Sequence, residues 1–362
     1  MHILKLKYFY TFGIFLLLLN LSYAVDSVSR HNIPANISIL IKNGKQKNAI
    51  VLINQTIEKK KTSLNKTKKT GILTYTSLYD EMAELIILKN ELLLNLDKTD
   101  DIDTDKICNF ILDYEEVEFI KTQYYKTPFH DDVAKTVQNI ASLYALCYPP
   151  MAGKYLKSVL RIKENVYGKE SVEAANAYDK LGDHHHFSMA EFKSAIEHYE
   201  KAKVIRENLY GATDPKCTVN YGQLAMSMFY FGDKENRAEE LLYRSIGIRE
   251  INLSQKDFPL YSAHMDLGIY YAMKDEHSKS IIHLKEALSA LKGKLNSDYI
   301  VILSELSRSY LKLNNLHNAL INAKEAHIKA KELYGERKHP QVVESFRQIS
   351  VITEMIDRAK SK

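Results

Sequence analysis

The sequence predicts an all-α fold, an α-α superhelix in which antiparallel helix pairs stack into a solenoid behind an N-terminal signal peptide. Three observations lead to this prediction. Small residues recur at near-constant spacing through the second half of the chain. Glycine (13) and proline (7) are scarce among 362 residues, and scarce chain breakers favour long helices. The hydrophobic (45%) and charged (26%) fractions are those of a folded chain and not of a disordered one.

The N-terminus has the three parts of a secretory signal. Lys5 and Lys7 form a short positive start, residues 9–21 are mostly apolar, and a Ser-Tyr-Ala sequence ends at Ala24. The apolar run is short for a permanent membrane span. We therefore expect cleavage after Ala24, a secreted or periplasmic mature chain that begins near Val25, and no further membrane span. An uncleaved N-terminal membrane anchor is the alternative.

The segment from Tyr178 to Ala202 has the pattern of two closely packed helices. The first helix is marked by Tyr178, by Leu181 followed by the small residue Gly182, and by His185. The second helix is marked by alanines on both sides of Tyr199. The small residue lets the second helix approach, and bulky residues one turn to either side fill the space around that contact. Six positions in the chain carry such a small residue, which we call a pivot. The pivots are Ala141, Gly182, Ala225, Gly268, Ser307 and Ser350.

Consecutive pivots are 41, 43, 43, 39 and 43 residues apart. Six coincident positions with two-helix patterning between them are a strong signal, whereas a single match would be weak. The helix ends repeat as well, because Tyr-Gly pairs at 167–168, 210–211 and 334–335 have the form of helix stops. The pattern therefore predicts about five helix pairs followed by a capping helix.

Two short sequence motifs support the repeat pattern. The motif Ile-Arg-Glu occurs at 205–207 and again at 248–250, and residues 137–144 have the sequence Val-Gln-Asn-Ile-Ala-Ser-Leu-Tyr. Together with the pivots, these residues resemble the long tetratricopeptide repeats of kinesin light chains and their bacterial relatives, over about residues 130–352. The period exceeds the usual 34 residues because extra residues fall between the helix pairs. The resemblance implies a protein-binding superhelix and implies nothing about motors. The departures from its aromatic or bulky positions are Val137, His264, Leu303 and Ala323.

These patterns divide the chain into four parts. The expected parts are a signal peptide (1–24), an irregular helical region that is a degenerate repeat or a separate helical domain (25–126), the repeat array (127–338) and a C-terminal capping helix (339–362). A solenoid needs such caps because its terminal helices would otherwise expose an apolar face.

The region between the signal and the array is predicted to be helical but irregular. Residues 44–57 resemble the second helix of a divergent repeat. Residues 78–96 carry apolar side chains at helical spacing, which Lys89 interrupts by one turn. Residues 97–105 form an acidic break, and residues 107–124 are again helical in pattern.

The resemblance also implies where a partner would bind. In this family the first helix of each pair lines the concave groove, with side chains at fixed positions before and after the pivot. Those positions are polar and acidic in the first pairs, apolar in the middle, and carry arginines at the far end. The candidate groove residues are Gln138, Asn176, Asp179, Asp183, Met226, Phe229, Met265, Ile269, Arg308 and Arg347. We expect an extended or helical partner segment. The alternative is that Met226, Phe229 and Ile269 only pack between helices.

The residues that could carry chemistry do not form a recognisable site. Residues 183–186, Asp-His-His-His, are of the types that bind metals. Adjacent side chains on a helix point about 100° apart, so they cannot easily converge on one ion. We therefore expect a helix-end role for this tract and no metal. Cys108, Cys147 and Cys217 lack CxxC spacing, which argues against zinc and leaves a disulfide between two of them open. No Walker loop, HExxH, GxGxxG or GxSxG motif is present, so we expect no cofactor and no catalysis.

The charge balance bears on the kind of partner. The chain has 50 basic and 45 acidic residues, and a net charge of +5 is too small to argue for nucleic acid. We therefore predict a non-catalytic, exported scaffold that binds a protein or peptide. The alternative places an enzyme or effector activity in residues 25–126 and uses the repeats for docking.

Overall fold

The structure is a computed structural model that describes residues 34–68, 81–83, 85–90, 93, 104–233, 235–253, 259–335 and 339–360. Within these ranges the chain is helical with short connections and contains no strand. It forms two compact units, here called the N-terminal unit, which ends at Ala190, and the C-terminal unit, which begins at Glu191. The predicted signal peptide and most of the acidic break lie outside the described residues.

The N-terminal unit contains six α-helices among its described residues. They are α1 (Ala35–Lys42), α2 (Gln46–Lys68), α3 (Thr104–Tyr125), α4 (Asp131–Cys147), α5 (Pro149–Tyr167) and α6 (Val172–Asp183). Residues 81–83, 85–90 and 93 are helical as well. One turn of π-helix, His184–Ser188, follows α6.

The irregular region has a core of its own. Ile53 on α2, Leu85 and Ile86 from the helical segment after it, and Val117 on α3 belong to one buried cluster, and each is at most 1% exposed. Lys89 interrupts the apolar spacing of its segment because its ammonium group lies 2.5 Å from the carboxylate of Asp113 on α3. An ion pair that is mostly shielded from solvent thus takes the place of an apolar contact.

The C-terminal unit contains eight α-helices among its described residues. They are α7 (Phe192–Tyr210), α8 (Tyr221–Phe231), α9 (Arg237–Ile251), α10 (Leu260–Met273), α11 (His277–Leu291), α12 (Ser297–Lys312), α13 (Leu316–Tyr334) and α14 (Pro340–Lys360). A 3₁₀ turn, Pro215–Thr218, precedes α8. The division between the units falls between the two helices of the second predicted repeat, so α6 and α7 are described separately.

The helices of the C-terminal unit form two rows. The pairs α8/α9, α10/α11 and α12/α13 are helical hairpins, and α14 packs against α13 and α12. The first helices α8, α10, α12 and α14 each contact the next one in their row, whereas the second helices make no comparable contacts with one another in the described part of the unit. The first helices are therefore more closely spaced than the second helices. We call the outer face of the row of first helices the first-helix face.

The pivots lie mostly at buried positions. Ala141, Gly182, Ala225, Gly268 and Ser307 are buried. A Cβ atom on Gly268 would lie only 2.7 Å from Cγ of Leu284 on α11, so α10 and α11 meet at this point with no space for a side chain. In the next pair the Ser307 hydroxyl donates a hydrogen bond of 2.9 Å to the carbonyl of Ala319 at the start of α13.

The sixth pivot differs from the others. Ser350 is half-buried, and its hydroxyl donates to the carbonyl of Phe346 on its own helix. The physical reason is that no second helix folds back onto α14 in the described residues. Ser350 therefore occupies the pivot position of a helix that has no partner helix on this side among the described residues.

The second helices end where the Tyr-Gly pairs predict. Helices α5, α7 and α13 end at the tyrosine, and Gly168, Gly211 and Gly335 follow with φ of 94°, 85° and 77°. Glycine is the residue that adopts positive φ without a steric penalty. Helix α14 begins at Pro340, and Nδ1 of His339 accepts a hydrogen bond of 3.3 Å from the backbone amide of Gln341.

Candidate functional site

Four of the predicted groove residues lie on the first helices of the C-terminal unit and form what we call the apolar patch. Met226 and Phe229 lie on α8, and Met265 and Ile269 lie on α10. Each is partly exposed. Met226 and Phe229 also pack against the buried core between α8 and α10, and Met265 packs against the core between α11 and α12. The patch therefore supports the helix packing with its inner atoms and leaves its outer atoms to solvent.

The two predicted arginines lie at the far end of the same face. Arg308 on α12 pairs with Glu305 and lies 3.8 Å from a carboxylate oxygen of Glu344 on α14. Arg347 donates two hydrogen bonds to Glu344, of 2.9 and 3.0 Å. Both arginines thus share an acidic neighbour from this chain, which satisfies part of their charge.

The remaining predicted groove residues belong to the N-terminal unit. Gln138 on α4 is half-buried, Asn176 on α6 is exposed, and Asp179 on α6 is half-buried. Asp183 closes α6, and its carboxylate lies 3.6 Å from the ammonium of Lys180, one turn earlier. These residues form a polar surface on their own unit.

Asp266 on α10 is a site residue that the sequence pattern does not select. A Cβ atom on Gly222 of α8 would lie 2.5 Å from Oδ2 and 2.8 Å from Oδ1 of Asp266. The carboxylate therefore occupies the space that a side chain at position 222 would fill, between the two helices that carry the apolar patch. Among the described residues it makes no hydrogen bond and no ion pair. Gly222, the second residue of α8, was the available sequence signal for it.

Arg249 on α9 is the nearest positive charge to Asp266, and its own bonds go elsewhere. The side chain is 6% exposed. Its guanidinium donates to the hydroxyl (2.9 Å) and carbonyl (3.2 Å) of Thr218, to the carbonyl of Pro259 (3.1 Å), and to the hydroxyl of Ser262. Arg249 thus fastens the 3₁₀ turn to the start of α10 and influences Asp266 only through its charge.

The surroundings of Asp266 favour its neutral form. Burial raises the pKa of Asp266 to about 7, and the charge of Asp298 on α12 acts in the same direction against the lowering effect of Arg249. Asp298 is itself occupied, because the Tyr261 hydroxyl donates to it at 2.9 Å. Asp266 is therefore a carboxyl group that exchanges a proton near neutral pH.

Two histidines face one another inside the α10/α11 pair. The Nδ1 atoms of His264 and His283 are 3.4 Å apart. Burial lowers the pKa of both rings, and the neighbouring His264 lowers that of His283 further. At pH 7 one neutral ring therefore donates to the other. No cluster of three or more His, Cys, Asp or Glu side chains suited to a metal occurs in the described part of the chain.

The histidine tract lies at the end of α6, as the sequence predicts, and packs inward. His184 and His186 are buried, and the Nε2 atom of His184 lies 2.8 Å from the place where Gly153 would carry a Cβ atom. Burial lowers the pKa of His186 to about 4, so this ring is neutral at physiological pH. The tract therefore belongs to the core of the N-terminal unit.

The three cysteines are free thiols. Cys108 is exposed, Cys147 is half-buried and Cys217 is buried. Burial raises the pKa of Cys147 and of Cys217, which disfavours the reactive thiolate at both. As for membrane spans, no helix in the described ranges has the length and apolarity that a bilayer crossing requires.

Comparison with known proteins identifies the fold. No family model matches the sequence, and no curated protein matches it. The chain is similar to a signal transduction ATPase with numerous domains from Pyrococcus horikoshii that carries a tetratricopeptide repeat sensor. The TM-score is 0.50 at 15% identity, over 95% of this chain and 50% of that one. BtubC (BKLC) from P. vanneervenii gives a TM-score of 0.49 at 17% identity, over 70% of this chain and 94% of that one.

A third similar structure comes from the nearly identical repeats of a Podosopora anserina kinesin light chain. It gives a TM-score of 0.43 at 16% identity, over 57% of this chain and 98% of that one. The structural neighbours are tetratricopeptide repeat proteins, and the described helices form hairpins of that type. The predicted fold is therefore confirmed. Likenesses at this level of identity establish the fold and not the function.

Proposed function

We propose that this chain of tetratricopeptide-type helix pairs is a non-catalytic scaffold that binds a partner polypeptide on the first-helix face of its C-terminal unit. The observation that carries the proposal is the apolar patch. Its four side chains lie on the first helices α8 and α10 and keep exposed atoms after packing. Methionine is flexible and polarizable, so Met226 and Met265 suit a surface that adapts to a bound segment.

The chemistry of this face favours an apolar contact over an acidic one. Arg308 and Arg347 already share Glu344, so an incoming carboxylate would compete with a group of this chain. The apolar patch has no such internal competitor beyond its packing contacts. We therefore propose that the partner inserts apolar side chains between α8 and α10, as an extended segment or as one face of a helix.

We also propose that the mature chain acts outside the cytoplasm. The support is the N-terminal sequence, with its lysines, its apolar run at 9–21 and the small residue Ala24. N-terminal sequencing of the protein recovered from the medium or periplasm of its host should give Val25 as the first residue. Recovery of the chain only in the membrane fraction, with its N-terminus retained, would favour the anchored alternative.

The test of partner binding compares capture by three forms of the mature chain. Met226→Asp with Ile269→Asp places two charges in the apolar patch and should lower capture at least about tenfold, because a charge buried in an interface without a partner is costly. Ile282→Asp with Ile328→Asp is the matched control. These isoleucines lie on second helices and are 58% and 61% exposed.

The melting temperature of each form establishes that the helices are folded, and the captured proteins are identified by mass spectrometry. We expect the wild type and the control to capture the same partner. Equal capture by the patch variant would exclude this face, and loss of capture in the control alone would move the site to the second helices.

A further inference from the structure

We propose that Asp266 accepts a basic side chain, lysine or arginine, from the polypeptide that occupies the first-helix face. This inference rests on the proposed function and assigns a chemical class to one residue of the partner. It begins from a half-buried carboxylate that the fold leaves without a hydrogen bond or ion pair among the described residues, between α8 and α10, the two helices that carry the apolar patch.

The position of the carboxylate depends on Gly222. Gly222 is the second residue of α8, directly after Tyr221. Alanine cannot replace it here without displacing Asp266, because its Cβ atom would meet the Asp266 carboxylate at 2.5 Å. Helix α8 therefore has no side chain at the point where the Asp266 carboxylate lies. The two residues together form a small acidic recess between the first helices α8 and α10.

The charged groups around this recess do not neutralise Asp266 by contact. From α9, Arg249 directs its guanidinium to Thr218, Pro259 and Ser262. From α12, Asp298 accepts from Tyr261 and adds negative charge. From α8, the nearest group is the backbone at Gly222.

The patch itself supplies no cation. Its four members are apolar, so a basic side chain that reaches the recess has to come from outside the chain. A bound cation would form a charge-assisted hydrogen bond with this half-buried carboxylate, and such bonds are stronger than those between neutral groups. The apolar residues beside that lysine or arginine in the partner would lie on the apolar patch. The structure therefore fits a segment in which lysine or arginine stands among apolar residues.

Binding of this kind would release a proton. Burial keeps Asp266 protonated up to about neutral pH, and a cation binds the ionised form. The ionised fraction of an acid with a pKa of about 7 rises about tenfold between pH 6 and pH 8, so the affinity for a basic segment should rise about tenfold over the same interval. A purely apolar segment should bind equally at both values.

The experiment selects peptides from a random twelve-residue library displayed on phage, at pH 8, with four forms of the full mature chain. The forms are the wild type, Asp266→Asn, Asp275→Asn and the patch variant Met226→Asp with Ile269→Asp. Asparagine resembles the protonated acid in shape, so the Asp266→Asn form should melt no lower than the wild type. Asp275 is the control because its side chain is 77% exposed in the turn of the same helix pair.

We expect the wild type and Asp275→Asn to select lysine or arginine at a fixed distance from apolar residues, and Asp266→Asn to keep the apolar positions and lose the basic one. A synthetic peptide of the selected sequence should bind Asp266→Asn about ten- to a hundredfold more weakly at pH 8. It should also bind the wild type about tenfold better at pH 8 than at pH 6.

The two proposals fail in different ways. If the wild type selects apolar sequences without a basic residue, or if Asp266→Asn selects the same basic residue, the role of Asp266 is wrong and the binding face stands. If the patch variant selects the same peptides as the wild type, or if no form selects any sequence, the binding face is wrong and the role of Asp266 falls with it.

Discussion

Replacing Gly268 with valine should lower the free energy of unfolding by about 2–3 kcal/mol, the usual cost of forcing extra carbon atoms into a packed contact. The new Cβ atom would lie 2.7 Å from Cγ and 3.2 Å from the backbone nitrogen of Leu284. Leu284 is 0% exposed and has no free space to move into. The α10/α11 pair would have to separate. Urea unfolding followed by circular dichroism measures the change.

The control for this substitution is a glycine in the neighbouring second helix. Gly247 lies inside α9, and a Cβ atom there would have no atom within 4 Å. Gly247→Ala should therefore stabilise the protein by up to about 1 kcal/mol through helix propensity alone. If both variants changed stability in the same direction and by the same amount, Gly268 would not be a point of close helix contact.

Replacing Arg249 with methionine should destabilise the chain by about 1–3 kcal/mol, the range for leaving buried hydrogen-bonding groups without a partner. The hydroxyl and carbonyl of Thr218 would lose a donor, and Asp266 would lose the positive charge that lowers its pKa. Methionine preserves most of the side-chain volume, so the effect would come from the lost bonds. Thermal and urea unfolding at pH 7 measure it.

Arg244 offers the matched control on the same helix. Its side chain is 42% exposed, pairs with Glu207 at 2.9 Å and donates to the carbonyl of Ala212. Arg244→Met should cost less than about 1 kcal/mol, as is usual for exposed ion pairs. Comparable losses from the two substitutions would mean that burial of Arg249 adds nothing to its contribution.

The repeat lattice could be predicted from the sequence because it is a local and periodic property. A small residue is required wherever two helices of a pair meet closely, and glycine is favoured wherever a helix ends with positive φ. Gly268, followed in the structure by its contact with Leu284, and Gly211, which follows the end of α7, illustrate the two rules. Ser350 is only half-buried, because no further helix covers α14 within the part of the chain that the structure describes, and the pattern carries no information on this.

The polar interior could not be predicted, because burial of a charge depends on contacts between distant segments. Arg206 and Arg249 both belong to the recurring Ile-Arg-Glu motif and look like solvent-facing residues of a helix, yet they are 1% and 6% exposed. The recurrence of the Ile-Arg-Glu motif was the only sequence signal that these two arginines have a structural role. Lys89 likewise interrupts the apolar spacing of its own helical segment, and only the contact with Asp113 on another helix explains it.

The candidate site was predictable only in part for the same reason. The pivot spacing placed Met226 and Met265 on the first helices, but it gave no information about their internal contacts or about Glu344 beside the two arginines. Asp266 was missed because its neighbour on α8 is 44 positions earlier in the chain. A glycine at position 222, three residues before the pivot Ala225, was the available signal.

Binding of a polypeptide to the apolar patch is tested most directly by titrating the purified partner into three forms of the mature chain in a calorimeter. The forms are the wild type, Met226→Asp with Ile269→Asp, and Ile282→Asp with Ile328→Asp. The wild type and the second-helix control should bind with the same dissociation constant, and the patch variant should bind at least about tenfold more weakly while keeping its helical content. A patch variant that is folded and binds as tightly as the wild type would contradict the proposed site.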